Sequence, residues 1–227
     1  MSCGRLFGDL RHVPKPLEEA GPAPRLSFFL PFVSRFNPQV CKTKLRSAMA
    51  HIPHVVQKRQ RLMEQRRAEV VDALSNQAPE LARTKLKVFL ADEAFLEAIP
   101  LVQAMETPFV QYVDLLRNYR QCPPDLQQVV HTLTYAAVVC QSDIPEFTPF
   151  LQQMKYKYGK RFVSWIQYGN PGLQIENTVR AKLEMDVDKA MSFEEQEARL
   201  QQIAQEAGIA MSTTAVGGEG RRVSFCP

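Results

Sequence analysis

The sequence predicts an all-α protein, a long antiparallel helical hairpin with additional shorter helices packed on it. Two observations carry that expectation. Between Cys41 and Met105 apolar residues recur at helical steps, first Leu45, Met49, Ile52, Val56, Met63, Val70 and Leu74, then Ala82, Leu86, Phe89, Leu96, Ile99 and Val102. Such spacing keeps them on one side of a helix, and no period-two alternation competes. Between the two series lies Ser75-Asn76-Gln77-Ala78-Pro79, where Asn76 suits a C-cap and Pro79 cannot continue one helix but can open the next.

The first helix is expected from about Pro38 to Ser75, a rod of about 50 Å at the α-helical rise, with a kink near His51 because Pro53 removes a hydrogen bond and crowds the carbonyl four residues back. Arg59 and Arg66 fall in heptad register with Ile52. On an apolar stripe they read as snorkelling side chains, or as ligands for a partner's carboxylate. The second helix opens at Pro79-Glu80, with Glu80 near the positive dipole end. Pro100 and Pro108 predict a kink near Glu97 and a resumed helix from about Thr107 to Tyr119. Pro123 and Pro124 open a third helix to about Cys140, with Leu126, Val129, Val130, Leu133, Ala137 and Val138 as core. A fourth, from about Pro145 to Tyr168, places Phe150, Met154, Tyr158, Phe162 and Trp165 on one side. Its bases and aromatics, Lys155 to Phe162, resemble a nucleic-acid stacking surface, but helical geometry accounts for them as core on one side and solvated lysines on the other. Gly169-Asn170-Pro171-Gly172 breaks the chain. A short fifth helix over 176–183 follows, and Ser192-Phe193-Glu194-Glu195 is a capping box opening a sixth to about Glu206, with Leu200, Ile203 and Ala204 buried.

These readings divide the chain into a Pro-rich extension over 1–37, a helical domain over 38–210 and a flexible, Gly-rich tail over 211–227. The extension carries Leu26-Ser27-Phe28-Phe29-Leu30-Pro31-Phe32-Val33, which reads as cover for an apolar patch or, second, as a membrane-inserting loop. A chain of 227 residues suits one well-buried domain. No run approaches the ~20 apolar residues of a membrane span, and no secretory signal is visible at the start. Five scattered cysteines without a CxxC point to neither a disulfide framework nor a thiolate metal site. A cytoplasmic protein with peripheral membrane contact is expected.

The charge is lopsided. Between Cys41 and Lys87 eleven cations face four anions, a net +7 in a chain of net +4, so the basicity is local and calls for a local partner. Catalytic constellations are missing: there is no phosphate-cradling glycine loop, GxSxG or HExxH. His51 and His54 lack a third ligand nearby. No catalytic residue, cofactor or metal is therefore expected. Three binding classes remain: a membrane-remodelling scaffold, a helical adaptor without membrane activity, and a nucleic-acid-binding helical protein. The third lacks base-reading motifs, and no nucleic-acid partner is expected.

Several stretches carry a family resemblance. Cys41-Lys42 opens onto the basic helix, and "ELARTKLKVFLADEAFLEAI" follows over 80–99. Cys122-Pro123-Pro124-Asp125-Leu126, Thr134-Tyr135-Ala136-Ala137, Lys157-Tyr158-Gly159-Lys160-Arg161-Phe162-Val163 and Leu200-Gln201-Gln202-Ile203-Ala204-Gln205-Glu206 come in order after it. Over about residues 38–210 the chain resembles the increased-sodium-tolerance-one family of ESCRT-III-like proteins. The resemblance implies a hairpin closed by later helices, acting without catalysis in multivesicular-body sorting on endosomal membranes. The partners it implies are ESCRT-III subunits and the AAA ATPase that disassembles them, with an anionic membrane as a peripheral contact. It implies partner- or membrane-binding roles for Lys42, Lys44, Arg46, Lys58, Arg59, Arg61, Arg66, Arg67, Arg83 and Lys85. Lys87 stands where the family more often has an acid. Arg199-Leu200-Gln201-Gln202-Ile203 resembles the core of an ATPase-interacting motif, but it coincides with the last core helix and is read as core.

Overall fold

A computed structural model describes residues 36–209; most of the expected extension, its Phe-rich segment and the tail lie outside the described residues. Helix α1 spans Pro38–Ser75. Asn37 caps it by accepting hydrogen bonds from the Gln39 and Val40 amides, and Pro38 occupies the first turn, where no donor is needed. The turn to α2 (Pro79–Ala104) follows Asn76. Gln77 takes φ +54°, its amide donates to Leu74 O and that of Ala78 to Ala73 O. That is a Schellman closure built on a non-glycine residue.

Both interior prolines are accommodated without ending their helices. Pro53 and Pro100 face solvent, so neither ring is forced into the core. The second helix breaks later than expected, at Met105. Pro108 has no N–H to offer Ala104 O, and a new helix, α3 (Glu106–Tyr112), starts with that proline in its first turn. A 3-10 turn over Val113–Arg117 completes the segment, in place of one helix running to Tyr119.

Helix α4 (Pro124–Val139) is buried on nearly every side from Val130 to Ala137. The expected fourth helix is two helices, α5 (Phe147–Tyr158) and α6 (Lys160–Gln167). Gly159 divides them at φ +89°, ψ 164°, a backbone region essentially restricted to glycine. Phe150, Met154 and Phe162 are core as expected, whereas Tyr158 and Trp165 are only partly buried. A Cβ at Gly159 would touch nothing within 4 Å, so strain there is purely backbone. Gly159→Ala is expected to lower the unfolding free energy by about 1–3 kcal/mol, measured by denaturant unfolding. An unchanged midpoint would mean that the elbow straightens freely.

Helices α7 (Asn177–Leu183), α8 (Val187–Ala190) and α9 (Phe193–Glu206) complete the described chain. The Ser192–Glu195 capping box is formed reciprocally. Leu200, Ile203 and Ala204 are buried, and Gly208 closes α9 with Ile209 packed on the same apolar cluster.

Two apolar clusters hold the hairpin. The larger surrounds its base: Cys41 to Val55 of α1 and Phe95 to Val102 of α2 meet α3, α4, α5, α6 and Val179 of α7. The smaller lies at the tip, where Val70, Ala73 and Leu74 of α1 and Ala82, Leu86, Phe89 and Leu90 of α2 meet Val187 and α9. The linker before α7 is pinned to α4 at two points. The Gln174 amide donates to His131 Nδ1 at 3.0 Å, and the Glu176 amide to Thr132 Oγ1 at 2.9 Å.

Burial lowers the His131 pKa to about 4, below the ordinary value near 6.5. The unfolded chain therefore takes up this proton first. The contribution of neutral His131 to stability is full above about pH 6.5 and lost as the pH falls through the folded value. Denaturant titrations should show an acid-side loss on the order of 3 kcal/mol that His131→Gln lacks. Parallel pH profiles would remove His131 from the linkage.

Candidate partner-binding surface

The ten residues expected to form the binding surface divide into two groups. Six are occupied by carboxylates of the same chain. Lys42 Nζ lies 2.7 Å from Asp114 Oδ2. Arg59 bridges Asp92 Oδ1 at 2.8 Å and Asp143 Oδ1 at 2.7 Å, stacked 4.4 Å from the centre of the Phe95 ring. Arg66 binds the other Asp92 oxygen. Arg67 meets Glu206 at 2.6 Å, Arg83 meets Glu197 at 2.6 Å and Glu80 at 2.8 Å, and Lys85 meets Glu69 at 2.6 Å. The other four, Lys44, Arg46, Lys58 and Arg61, are exposed and form no ion pair among the described residues.

Local sequence explains the division. From Pro38 to Met63, α1 contains no acid, so its cations find carboxylates only where other elements pack against it. Lys44, Arg46, Lys58 and Arg61 lie off the buried positions Leu45, Ile52 and Val55, and no carboxylate among the described residues pairs with them. Arg59 and Arg66 lie in the part of α1 between its last base-cluster residue, Val55, and its first tip-cluster residue, Val70. Asp92, 1% exposed, receives both. They are thus neither simple snorkelling side chains nor, in this form, ligands for another molecule. The acids on Arg59, with desolvation opposing them, hold its pKa above the usual value.

The side chains of His51, Val55, Lys58, Leu62 and Arg66, with Asp143 opposite, border a shallow cavity of about 380 Å³. His51 faces Glu146 at 3.3 Å. Among the described residues no group of three His, Cys, Asp or Glu side chains could hold a metal, and no helix is long and apolar enough to cross a membrane.

Sequence reasoning missed the second half of the ionic pattern, which ties α7–α9 to the hairpin. Lys182 pairs with Glu97, Lys87 with Asp188 at 2.7 Å, and Arg199 with Glu93 at 2.8 Å. Together with Arg67–Glu206 and Arg83–Glu197 these connect elements roughly a hundred residues apart, for which no local signal exists. Exposed pairs contribute little individually. Three of the five, to Arg67, Arg83 and Glu93, are on α9, whose buried side chains include Leu200 and Ile203.

A long helical hairpin with shorter helices packed at its base and tip defines an all-α protein of ESCRT-III-like architecture. The family model described as "Ist1: Regulator of Vps4 activity in the MVB pathway" matches residues 42–210, and the chain belongs to that family. An IST1-like protein of Dictyostelium discoideum is 24% identical over 119 residues, 52% of this chain and 32% of that protein. The matched region is about a third of that relative's length. Among solved structures, the S. cerevisiae Ist1 N-terminal domain in complex with the Did2 MIM motif shares the fold with a TM-score of 0.64 at 15% identity, covering 84% of this chain and 100% of that one.

Proposed function

We propose that this chain is a non-catalytic regulator of ESCRT-III assembly and disassembly in multivesicular-body sorting, cytoplasmic and peripheral on endosomal membranes. The observation that carries the reading is the family match across 42–210; the complex of the yeast domain with a Did2 MIM motif supports an ESCRT-III-type partner. The functional unit is the helical domain over 38–210. It acts by co-assembly: α7–α9 close the hairpin tip, and a partner that prefers the open form shifts the balance by no more than its difference in affinity for the two. The uncommitted cations Lys44, Arg46, Lys58 and Arg61 meet an acidic surface of that partner. Lys42, Arg59, Arg66, Arg67, Arg83 and Lys85 become available only as their internal pairs open. The AAA ATPase of the pathway is engaged through the assembly.

The test is a pulldown from cytosol with the full chain and with a Lys44→Glu, Lys58→Glu, Arg61→Glu variant. Recovery of ESCRT-III subunits by the first and their reduction with the second is the expected result. Recovery of none by either would leave a helical adaptor outside this pathway.

A further inference from the structure

Every described lysine or arginine without an ion pair falls in one of two places. Four are the exposed cations of α1, as above. The other six are Arg117, Arg120, Lys155, Lys157, Lys160 and Arg161, at the elbow between α5 and α6 and the end of the 3-10 turn beside it. Sequence separates these two segments by about 40 positions. The structure joins them through Lys157, whose Nζ donates to the Tyr119 carbonyl and lies 5.6 Å from the centre of the Phe36 ring. Lys157 thus ties the end of α5 to the segment after the 3-10 turn, and Arg117, Arg120, Lys155, Lys160 and Arg161 flank these two points in sequence. Both segments are acid-free, over 115–124 and 147–175. The acids that flank them in sequence are Asp114, taken by Lys42 and Gln39, the exposed Asp125 at the start of α4, Glu146 and Glu176.

The 3-10 turn and its two ends also expose apolar surface: Tyr112, Leu115 and Tyr119 are 41%, 45% and 54% exposed. Cations that no acid neutralises, beside tyrosines and a leucine, match the chemistry of a lipid–water interface, where the rings sit at headgroup level and the cations meet anionic headgroups.

We propose that the α5–α6 elbow, with Leu115 and Tyr119 beside it, is a contact for an anionic lipid surface, separate from the exposed cations of α1. A nucleic acid would satisfy the cations, but it would leave Leu115 without a counterpart. The elbow conformation belongs to the site: Gly159 turns the chain so that Lys160 and Arg161 do not continue the line of α5. The proposal rests on the membrane-pathway reading above for the presence of a membrane, and the two fail separately.

The test is co-sedimentation of the full chain with phosphatidylcholine vesicles with and without phosphatidylserine, across a salt series. Arg117→Glu, Lys160→Glu, Arg161→Glu is compared with Lys44→Glu, Lys58→Glu, Arg61→Glu and with Leu115→Ser, Tyr119→Ser. All these side chains are exposed, and thermal unfolding confirms that each variant folds. At about fivefold per cation, the elbow triple should lose on the order of 100-fold in affinity for phosphatidylserine vesicles. The Leu115/Tyr119 variant should bind more weakly while keeping the salt slope, and the α1 triple should change little. Undiminished binding by the elbow triple, or equal binding to neutral vesicles, overturns the proposal. Tighter binding of a short DNA duplex than of vesicles at physiological salt, lost in the same triple, would reassign the surface to nucleic acid. Recovery of ESCRT-III subunits by the elbow triple keeps the regulatory reading intact whichever way the vesicle result falls.

Discussion

Replacing Asp92 by alanine should lower the unfolding free energy by about 3–5 kcal/mol, the largest effect expected of any single polar substitution here. Asp92 is 1% exposed and receives both Arg59 and Arg66, themselves only 21% and 29% exposed at the side chain. Without it two guanidinium groups remain in a partly desolvated cleft, and only Arg59 keeps a second acid, Asp143. Arg66 retains no carboxylate. Denaturant unfolding of Asp92→Ala, with Asp92→Leu/Arg66→Met as the companion, separates the two contributions. If the penalty comes from stranded charge, the double variant recovers much of the stability, because replacing a buried pair by apolar groups is often neutral. A loss below 1 kcal/mol in the single variant would mean that water reaches the cleft and screens it.

The second large effect concerns closure. Leu200→Asp with Ile203→Asp should undock α9 while leaving the hairpin folded. Truncating buried aliphatics of this size costs about 2–5 kcal/mol each, and a charge in their place adds desolvation. That exceeds what three exposed or half-exposed ion pairs at α9, to Arg67, Arg83 and Glu93, can retain. Hydrogen exchange should show protection lost over 193–206 and kept over 41–55 of α1 and in α4, which belong to the base cluster that α9 does not join. If closure restrains assembly, this variant, or removal of residues 174–227, should self-associate or co-assemble more readily by sedimentation and negative-stain microscopy. A variant that loses protection throughout would show that α9 stabilises the whole domain.

Helix identity was legible wherever the cause is local. The limits of α1, the Pro79 start, the double-proline opening of α4 and the Ser192–Glu195 box follow from caps and prolines, which act within one turn. Proline is an ambiguous signal, because whether it ends a helix depends on which side faces water. Pro53 and Pro100 face solvent, so α1 and α2 continue. Gly159 looked like a tolerated interior glycine, since nothing local distinguishes one in ordinary helical geometry from one at φ +89°.

The candidate surface was legible only as an inventory. The sequence by itself determined that basic charge is concentrated on the hairpin and that acids are missing from 38–63, 115–124 and 147–175, because composition does not depend on folding. It also determined the periodicities that make the domain helical. Only the tertiary structure decided which cations stay uncommitted. A carboxylate 26 or 139 residues away, as Asp92 is from Arg66 and Glu206 from Arg67, neutralises a charge only when packing brings it within a few ångströms. Coulomb attraction in water is too weak and too screened to report such pairings along the chain. Packing of α1 on α2, and of the 3-10 turn, Asp143 and α9 against them, therefore sorted one basic segment into internal ties and uncommitted side chains. The turn at Gly159, held to Tyr119 by Lys157, made one surface of two distant segments.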